Sequence, residues 1–304
     1  MTFNEAAESL RKEWKARLNM KDLSKKTFDE YGYNLGTLEK AFGDRLLCEL
    51  SKESLRTYLG KVAESYTNVT SNRKLSILRK VFEHGFKKNA VVTDPTEGIK
   101  FLSEKAHERK TFLLPNQLDT LIDACQKNRA KFYLPAVILL GAEHGASKQE
   151  ILSLEWSDID FDFDNTGMIK LFRTKNSRER VEFLMPRTRK ALMDWKAHLE
   201  YKRYRTKVSV VKSDSVFCRI DGTPIKRFDK AWWATLRDAG IKDFHFHDLR
   251  HTFCSNLIIS GSGLKDAKEM IGHLDISMTD RYSHLTALHK RHRQERLAEH
   301  YNNY

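Results

Sequence analysis

The stretch FHFHDLRHTFCSN, residues 244–256, decides between two classes of protein. His247 and His251 are four residues apart, with Asp248 directly after the first, which approaches the zinc signature H-E-x-x-H with aspartate in place of glutamate. The same letters contain H-x-x-R, in which His247 and Arg250 would place an imidazole and a guanidinium beside one anion. The stretch therefore predicts either a metal site or a phosphate site.

The zinc interpretation asks for more than the two histidines. A zinc hydrolase needs a third protein ligand and a glutamate that acts as general base. Asp248 is one methylene shorter than that glutamate, and no acid downstream stands out as a ligand. Arg250 would also put a fixed positive charge beside the dication. We expect no bound metal; considered alone, the stretch also fits two packing histidines on a half-buried helix.

Charge and composition restrict the class of protein. The chain has 304 residues, and 54 Lys and Arg against 41 Asp and Glu give a net charge of +13. Because this charge is spread along the chain, it suits a long polyanion better than a small acidic substrate, although a solvated basic surface without a partner also fits. The four cysteines form no C-x-x-C pair, the start lacks the apolar core of a signal peptide, and the longest apolar run is too short to span a bilayer. We expect a soluble cytoplasmic protein.

Residues 1–95 have helical periodicity with short breaks. In the clearest part, residues 66–95, four apolar side chains fall at helical spacing on one face: Leu75, Leu78, Phe82 and Phe86. The other faces of this helix carry basic side chains, namely Arg73, Lys74, Arg79, Lys80, Lys87 and Lys88. These six residues are candidates for contact with a phosphate backbone, and a solvated face is the alternative.

The rest of the chain predicts a second domain of different character. The polar segment over residues 99–110 is typical of an interdomain linker. Alternating β-formers interrupted by DNTG and TKNSRE then predict three antiparallel strands, over residues 159–163, 168–173 and 180–185. Helical spacing returns at Thr188. We predict an all-α domain over residues 1–98 and, over 111–304, a mainly α domain with a small antiparallel β-sheet and a C-terminal tail helix.

Further motifs surround the H-x-x-R pair in a fixed order. Lys175 lies in the predicted turn between the second and third strands, and MIGHLDISMTDRYSH contains His273 after a glycine and Tyr282 after an arginine. Together with LSLEWSDIDFD, the order Lys, His-x-x-Arg, Gly-His and Arg-Tyr resembles the tyrosine recombinases, the family of the lambda-type phage integrases. Residues 1–98 are similar to the helical, SAM-like core-binding domain of that family, so the resemblance covers nearly the whole chain.

The resemblance implies a chemical role for each matching residue. Tyr282 matches the nucleophile that stores the energy of the phosphodiester as a phosphotyrosine. Arg250 matches one of two arginines that stabilise charge on the nonbridging oxygens, and His247 matches a proton-transfer and hydrogen-bonding residue. His273 matches the second family histidine, which supports the phosphate pocket, and Lys175 matches the general acid for the 5′-hydroxyl leaving group. The family needs neither a metal nor a nucleotide cofactor.

The segment that corresponds to the family pattern T-G-x-R-x-x-E departs from it at the arginine. In the corresponding HGASKQE, Gly145 and Glu150 match, but Ser147 stands where the family has its first arginine. A hydroxyl has neither the charge nor the fork, and loss of one preorganised donor costs about 3–4 kcal/mol of transition-state stabilisation. Lys148 is adjacent, but one helical residue rotates a side chain by about 100°, away from that position. Ser147 and Glu150 also have the spacing of a capping box.

The resemblance implies a site-specific recombinase on double-stranded DNA. We expect a C-shaped clamp, a homotetramer that exchanges strands through a 3′-phosphotyrosine and a Holliday junction, and possible DNA-bending accessory proteins. We expect a nucleoid-associated location in a prokaryotic cell and no contact with a membrane. The tail helix would dock on a neighbouring protomer or remain exposed.

Ser147 leaves three explanations open. The chain is a slow natural recombinase, an engineered trap that binds DNA without cutting, or an active enzyme whose clamp is filled from elsewhere. We expect impaired chemistry with intact DNA binding. The alternative functions are a catalytically dead DNA-binding paralogue or trapped mutant that occupies recombination sites, and a nicking enzyme similar to type IB topoisomerases.

Overall fold

The computed structural model divides into two compact units, Met1–Glu108 and Arg109–Tyr304. The structure describes residues 1–104, 109, 111–173, 178–208, 210–271 and 290–302. Each unit has a hydrophobic core of its own, which is what two separately folding units require.

The described part of the first unit is helical. Its α-helices are α1 (Phe3–Asn19), α2 (Lys25–Phe42), α3 (Lys52–Ser65) and α4 (Asn68–Lys87). Each begins after a serine or threonine whose hydroxyl accepts the backbone N–H three residues later, and these caps are Thr2, Ser24, Ser51 and Thr67. Such caps satisfy one of the unpaired N–H groups at a helix start, and so they fix where each helix begins.

Helix α4 contacts the other three helices and forms the centre of this unit. Leu75, Leu78 and Phe82 are buried as predicted, but Phe86 is 57% exposed, so its assignment to the core is wrong. Phe86 lies in the last turn of α4, and the chain then reverses at Asn89, which has a φ of 55°. The reversal brings Val91 into the core in place of Phe86.

The second unit is mainly helical with one small sheet. Its described helices are α5 (Pro115–Ala124), α6 (Leu134–Glu143), α7 (Lys148–Leu152), α8 (Pro186–Arg205), α9 (Asp229–Asp238), α10 (Asp248–Ile259), α11 (Leu264–Ile271) and α12 (Lys290–Asn302). The strands are β1 (Ile159–Asp160), β2 (Met168–Arg173) and β3 (Arg178–Phe183). The predicted fold class, an all-α unit followed by a mainly α unit with a small antiparallel sheet, is confirmed.

The sheet has the order β1-β2-β3, and both pairings are antiparallel. Strand β1 is shorter than predicted because the chain turns after it, and the Asp160 carboxylate accepts the backbone N–H groups of Asp162 and Phe163. Strand β3 begins two residues earlier than predicted, since pairing with β2 continues to Arg173 and Arg178.

Helix α6 is the apolar centre of the second unit and packs against α8 and α10. Gly141 allows the close approach of α10, because a Cβ there would lie 2.9 Å from Leu249 Cδ1. This contact fixes the position of α10, which carries the H-x-x-R pair. No helix in the described ranges combines the length and the apolar character needed to cross a membrane.

Candidate functional site

Helix α10 begins at Asp248, directly after His247. The buried Asp248 carboxylate accepts hydrogen bonds from Arg109 Nε (3.0 Å), Arg109 Nη2 (2.9 Å) and the His245 backbone N–H (2.7 Å). Its oxygens therefore bind an arginine and fix the turn that precedes the helix. They are not arranged as the general base of a zinc site.

His247 and His251 lie one helical turn apart. Their rings are edge to face with centroids 5.4 Å apart; His247 is exposed, and His251 is buried, as expected of a packing residue. Among the residues that the structure describes, no group of three or more His, Cys, Asp or Glu side chains is placed to hold a metal ion. The described residues do not supply the ligand set that the zinc interpretation requires.

Arg250 is buried and connects two segments of the unit. Its Nη1 donates to the Gly145 carbonyl oxygen (2.6 Å), and its Nη2 donates to the Ile271 carbonyl oxygen. Nη1 also lies 3.9 Å from Glu150 Oε2. The guanidinium thus lies between the loop that precedes α7 and the end of α11, with a carboxylate beside it.

The predicted capping box at the start of α7 is confirmed. Glu150 Oε2 accepts the Ser147 backbone N–H (2.7 Å), and Ser147 Oγ accepts the Glu150 backbone N–H (3.3 Å). Position 147 therefore begins a helix without supplying a cation. Lys148 donates to Asp229 Oδ1, which lowers the pKa of that carboxyl, and its ammonium lies 4.8 Å from the centroid of the Phe228 ring. The lysine next to Ser147 therefore points to the start of α9.

Gly145 has a conformation and a contact that favour glycine. Its φ is 58°, in the left-handed region, and an added Cβ would lie 2.8 Å from Phe253 Cδ1 and 2.9 Å from Ile271 Cγ2. Its carbonyl also accepts the bond from Arg250. The glycine lets the chain pass close to α10 and α11 and turn its carbonyl oxygen toward Arg250.

Gly145→Ala is expected to destabilise the protein by about 2–5 kcal/mol, because a left-handed residue with a Cβ costs about 1–2 kcal/mol and overpacking adds about 1–3 kcal/mol. Gly240→Ala is the matched control: Gly240 has a φ of 69° with nothing within 4 Å of an added Cβ. Gly240→Ala should therefore lose only the stability that the left-handed conformation costs, about 1–2 kcal/mol. Urea unfolding of both variants measures the difference, and equal losses would contradict a packing role for Gly145.

The structure brings several of the predicted site residues together. His247 and Arg250 lie at the start of α10, and Arg250 lies beside Glu150, which caps the same turn as Ser147. The other predicted catalytic residues lie outside the described residues: Lys175, His273 and Tyr282.

Lys74 does not lie on the basic surface expected of α4. It is only 4% exposed, its ammonium donates to Thr37 Oγ1, and burial lowers its pKa. The ammonium also lies 5.3 Å from the centroid of the exposed Tyr33 ring. The prediction that Lys74 lies on a basic surface of α4 is therefore wrong. Helix α4 is central in its unit, and position 74 faces α2.

The other basic residues of α4 differ in how they are held. Arg79 donates to the Ile99 carbonyl oxygen (2.7 Å), Arg73 lies 3.4 Å from a Glu30 oxygen, and Lys87 is 2.7 Å from Glu83. Lys80 lies over the Tyr31 ring, and Lys88 is exposed. Arg73, Lys87 and Lys88 are thus the exposed members of the predicted set.

Sequence reasoning missed Arg180 of β3, which lies beside Glu150. Arg180 Nη1 lies 2.8 Å from Glu182 Oε1, and Glu182 Oε2 lies 2.9 Å from His144 Nδ1. On this strand Arg180 and Glu182 face inward, whereas Val181 and Phe183 are exposed. The alternation of polar and apolar residues is visible in the sequence RERVEF. An alternating strand normally buries its apolar side chains, however, so the pattern predicts that Val181 and Phe183 face inward.

Two family models match this chain, one in each of its two units. Residues 111–289 match the phage integrase family, and residues 12–88 match the N-terminal SAM-like domain of phage integrases. The chain belongs to the phage integrase family. The resemblance of its motifs to the tyrosine recombinases is therefore confirmed.

Relatives within the integrase family include two named enzymes. The chain is 32% identical to the integrase of Salmonella phage P22 over 200 residues, which are 60% of this chain and 46% of that protein. It is 25% identical to the tyrosine recombinase XerC of Natranaerobius thermophilus over 295 residues, 93% of this chain and 94% of XerC. The first match spans less than half of the P22 integrase.

Solved integrase structures share the fold. A lambda integrase dimer bound to a COC′ core site has a TM-score of 0.75 at 14% identity, covering 93% of this chain and 77% of that one. The XerH recombinase bound to a palindromic difH substrate has a TM-score of 0.68 at 18% identity, covering 89% and 79%. These likenesses place the two units within the integrase fold.

Proposed function

We propose that the chain is a site-specific DNA recombinase that cleaves DNA through Tyr282, and that Ser147 slows this step. The observation that carries the proposal is the buried Arg250 beside Glu150, with serine at the start of the same turn. In a family whose members work on phosphodiesters, this is a phosphate pocket with one of its two arginine positions unfilled.

The proposed step is a transfer of the phosphoryl group to tyrosine. The Tyr282 oxygen attacks phosphorus, its proton passes to His247, and a 3′-phosphotyrosine forms as the bond to the 5′ oxygen breaks. Lys175 protonates that 5′ oxygen, and Arg250 stabilises the charge that grows on the nonbridging oxygens. His273 supports the same oxygens. The phosphotyrosine conserves the energy of the broken bond, so the strand rejoins by the reverse step.

The contacts around Ser147 support a slow step. Its backbone N–H and hydroxyl are both used in the capping box, and Lys148 is bound to Asp229. Neither side chain takes the place of a forked donor, and one missing donor corresponds to about 10²–10³ in rate. DNA binding, which depends on many phosphate contacts, would be little affected.

We further propose how the chain works on DNA. The core-binding domain over residues 1–98 and the catalytic domain over residues 111–304 both bind the duplex. Lambda integrase has been solved as a tetramer bound to a Holliday junction, with a TM-score of 0.71 to this chain. By analogy, four protomers carry two recombination sites, with tail helix α12 docked on a neighbour and with accessory DNA-bending proteins where the site requires them.

The test is a nicked suicide duplex that carries the cognate site, itself selected by binding from a random library. A covalent adduct that is lost in Tyr282→Phe and retained in Tyr204→Phe is the expected result; Tyr204 is the control because it is 83% exposed. An adduct that persists in Tyr282→Phe would sink the assignment of the nucleophile.

A DNA-binding paralogue without activity is the second candidate, and Ser147 is the observation that favours it. It predicts tight binding to the same duplex and no adduct at any enzyme concentration. A nicking enzyme would instead form the adduct without pairing two duplexes, which native gels of the complex with two labelled sites would distinguish.

A further inference from the structure

Two arginines lie on either side of Glu150. Arg250 Nη1 is 3.9 Å from Oε2, and Arg180 Nε is 3.9 Å from Oε1. Glu150 is 3% exposed, and Arg180 is 14% exposed. Within the described part of the chain, Glu150 Oε1 and Arg180 Nε are buried without a hydrogen-bond partner. The carboxylate is therefore shared between two cations and closes a tight ion pair with neither.

The two guanidinium groups also bridge the same two segments. Arg180 donates to the carbonyl oxygens of His144 (3.1 Å) and Met270. Arg250 donates to those of Gly145 (2.6 Å) and Ile271. Both arginines thus join consecutive carbonyls after α6 to consecutive carbonyls at the end of α11, where helix geometry leaves carbonyls unpaired.

The Arg180 guanidinium is itself oriented by a carboxylate on the same strand. Its Nη1 is 2.8 Å from Glu182 Oε1, while Glu182 Oε2 is 2.9 Å from His144 Nδ1. Strand β3 supplies both Arg180 and Glu182, so a rigid element orients the guanidinium. A group held in this way can fix the position of its neighbours, whereas a flexible surface arginine cannot.

We propose that Arg180 is a positioning residue for the phosphate pocket, acting through Glu150 and the end of α11 on Arg250. This inference rests on the proposed function. Without Arg180, the Glu150 carboxylate, still bound through Oε2 to the Ser147 backbone N–H, would attract Arg250 more strongly and draw its guanidinium away from the phosphate. With Arg180 present, the carboxylate lies between the two arginines. The Arg250 guanidinium then keeps its orientation, and its positive charge is only partly neutralised, so that it can attract the substrate phosphate.

A double-mutant cycle tests this role. Arg180→Met, made in a Ser147→Arg reference chain, is expected to lower the single-turnover rate of adduct formation at saturating DNA by about 30-fold, because small displacements of catalytic groups cost up to about 10²-fold. The dissociation constant for DNA should stay within about twofold, because the number of phosphate contacts is unchanged. In an Arg250→Lys background the same change should cost less than about threefold, because the coupled partner is already altered.

Arg189→Met is the matched control, since Arg189 also holds a carbonyl, that of Phe161, from α8. It should leave the rate nearly unchanged. If Arg180→Met lowers the rate by the same factor in the reference chain and in the Arg250→Lys background, the two residues act independently and the proposal is overturned.

A measurement without catalysis separates this inference from the proposed function. If the reference chain forms no adduct, the proposed function fails, and the side-chain Nε–H signal of Arg250 in ¹⁵N-labelled protein still tests Arg180. The signal should shift in Arg180→Met and not in Arg189→Met. An Arg250 signal that is unchanged in Arg180→Met overturns the positioning role.

Discussion

Ser147→Arg is expected to raise the single-turnover rate of the Tyr282 adduct at least tenfold, and by up to about 10²–10³ if the new guanidinium is fully preorganised. A planar fork supplies two charged donors to nonbridging oxygens, which a hydroxyl cannot do. The substitution removes the hydroxyl that caps α7, so about 1 kcal/mol of stability is expected to be lost at the same time.

The measurement compares adduct formation on a nicked suicide substrate at saturating DNA. Lys148→Arg is the control, because the side chain at position 148 is directed to Asp229 and should give no gain. An unchanged rate in a folded Ser147→Arg protein would mean that the pocket does not use position 147.

Arg250→Met is expected to lower the free energy of unfolding by about 3–5 kcal/mol, because two buried carbonyl oxygens lose a charged donor at about 1–3 kcal/mol each and Glu150 loses a neighbouring cation. The two oxygens are those of Gly145 and Ile271, and in the described part of the chain Arg180 is the cation that remains beside Glu150. We therefore expect the second unit to need Arg250 for its stability, apart from the catalytic role proposed for this residue.

Urea unfolding measures this loss, with Arg189→Met as the control. Arg189 is half-buried and bonds a single carbonyl, so about 1 kcal/mol is expected there. Adding Glu150→Gln to Arg250→Met should recover part of the loss, since the uncompensated charge is removed. A loss below about 1 kcal/mol for Arg250→Met would mean that the two carbonyl oxygens and Glu150 do not depend on this guanidinium. The result also decides whether an inactive Arg250 variant reports on chemistry or on folding.

Local patterns in the sequence predicted much of the fold. Strand alternation between residues 159 and 185 gave the sheet, and the spacing of Ser147 and Glu150 gave the capping box. Both depend on neighbours a few residues away, so the sequence contains the necessary information. The candidate site was reached differently, through the order of motifs that the family shares.

Features that depend on distant packing were not predictable. Lys74 and Arg73 are adjacent basic residues of one helix, and nothing in the nearby sequence predicts that they differ in burial. Lys74 is buried because α4 lies at the centre of its unit. Phe86 fits the helix periodicity, yet the chain reversal after α4 replaces it with Val91. Arg180 gains its place beside Glu150 from the pairing of β3 with β2, which joins residues that no short motif connects.

The bond between Arg109 and Asp248 has a practical consequence for dissection of the chain. The family match begins at residue 111, which makes that residue an obvious start for an isolated second unit. Such a fragment would lack the guanidinium that pairs with the buried Asp248 carboxylate at the first turn of α10. Fragments for expression should therefore begin before Arg109, so that the helix with His247 and Arg250 keeps its amino-terminal anchor.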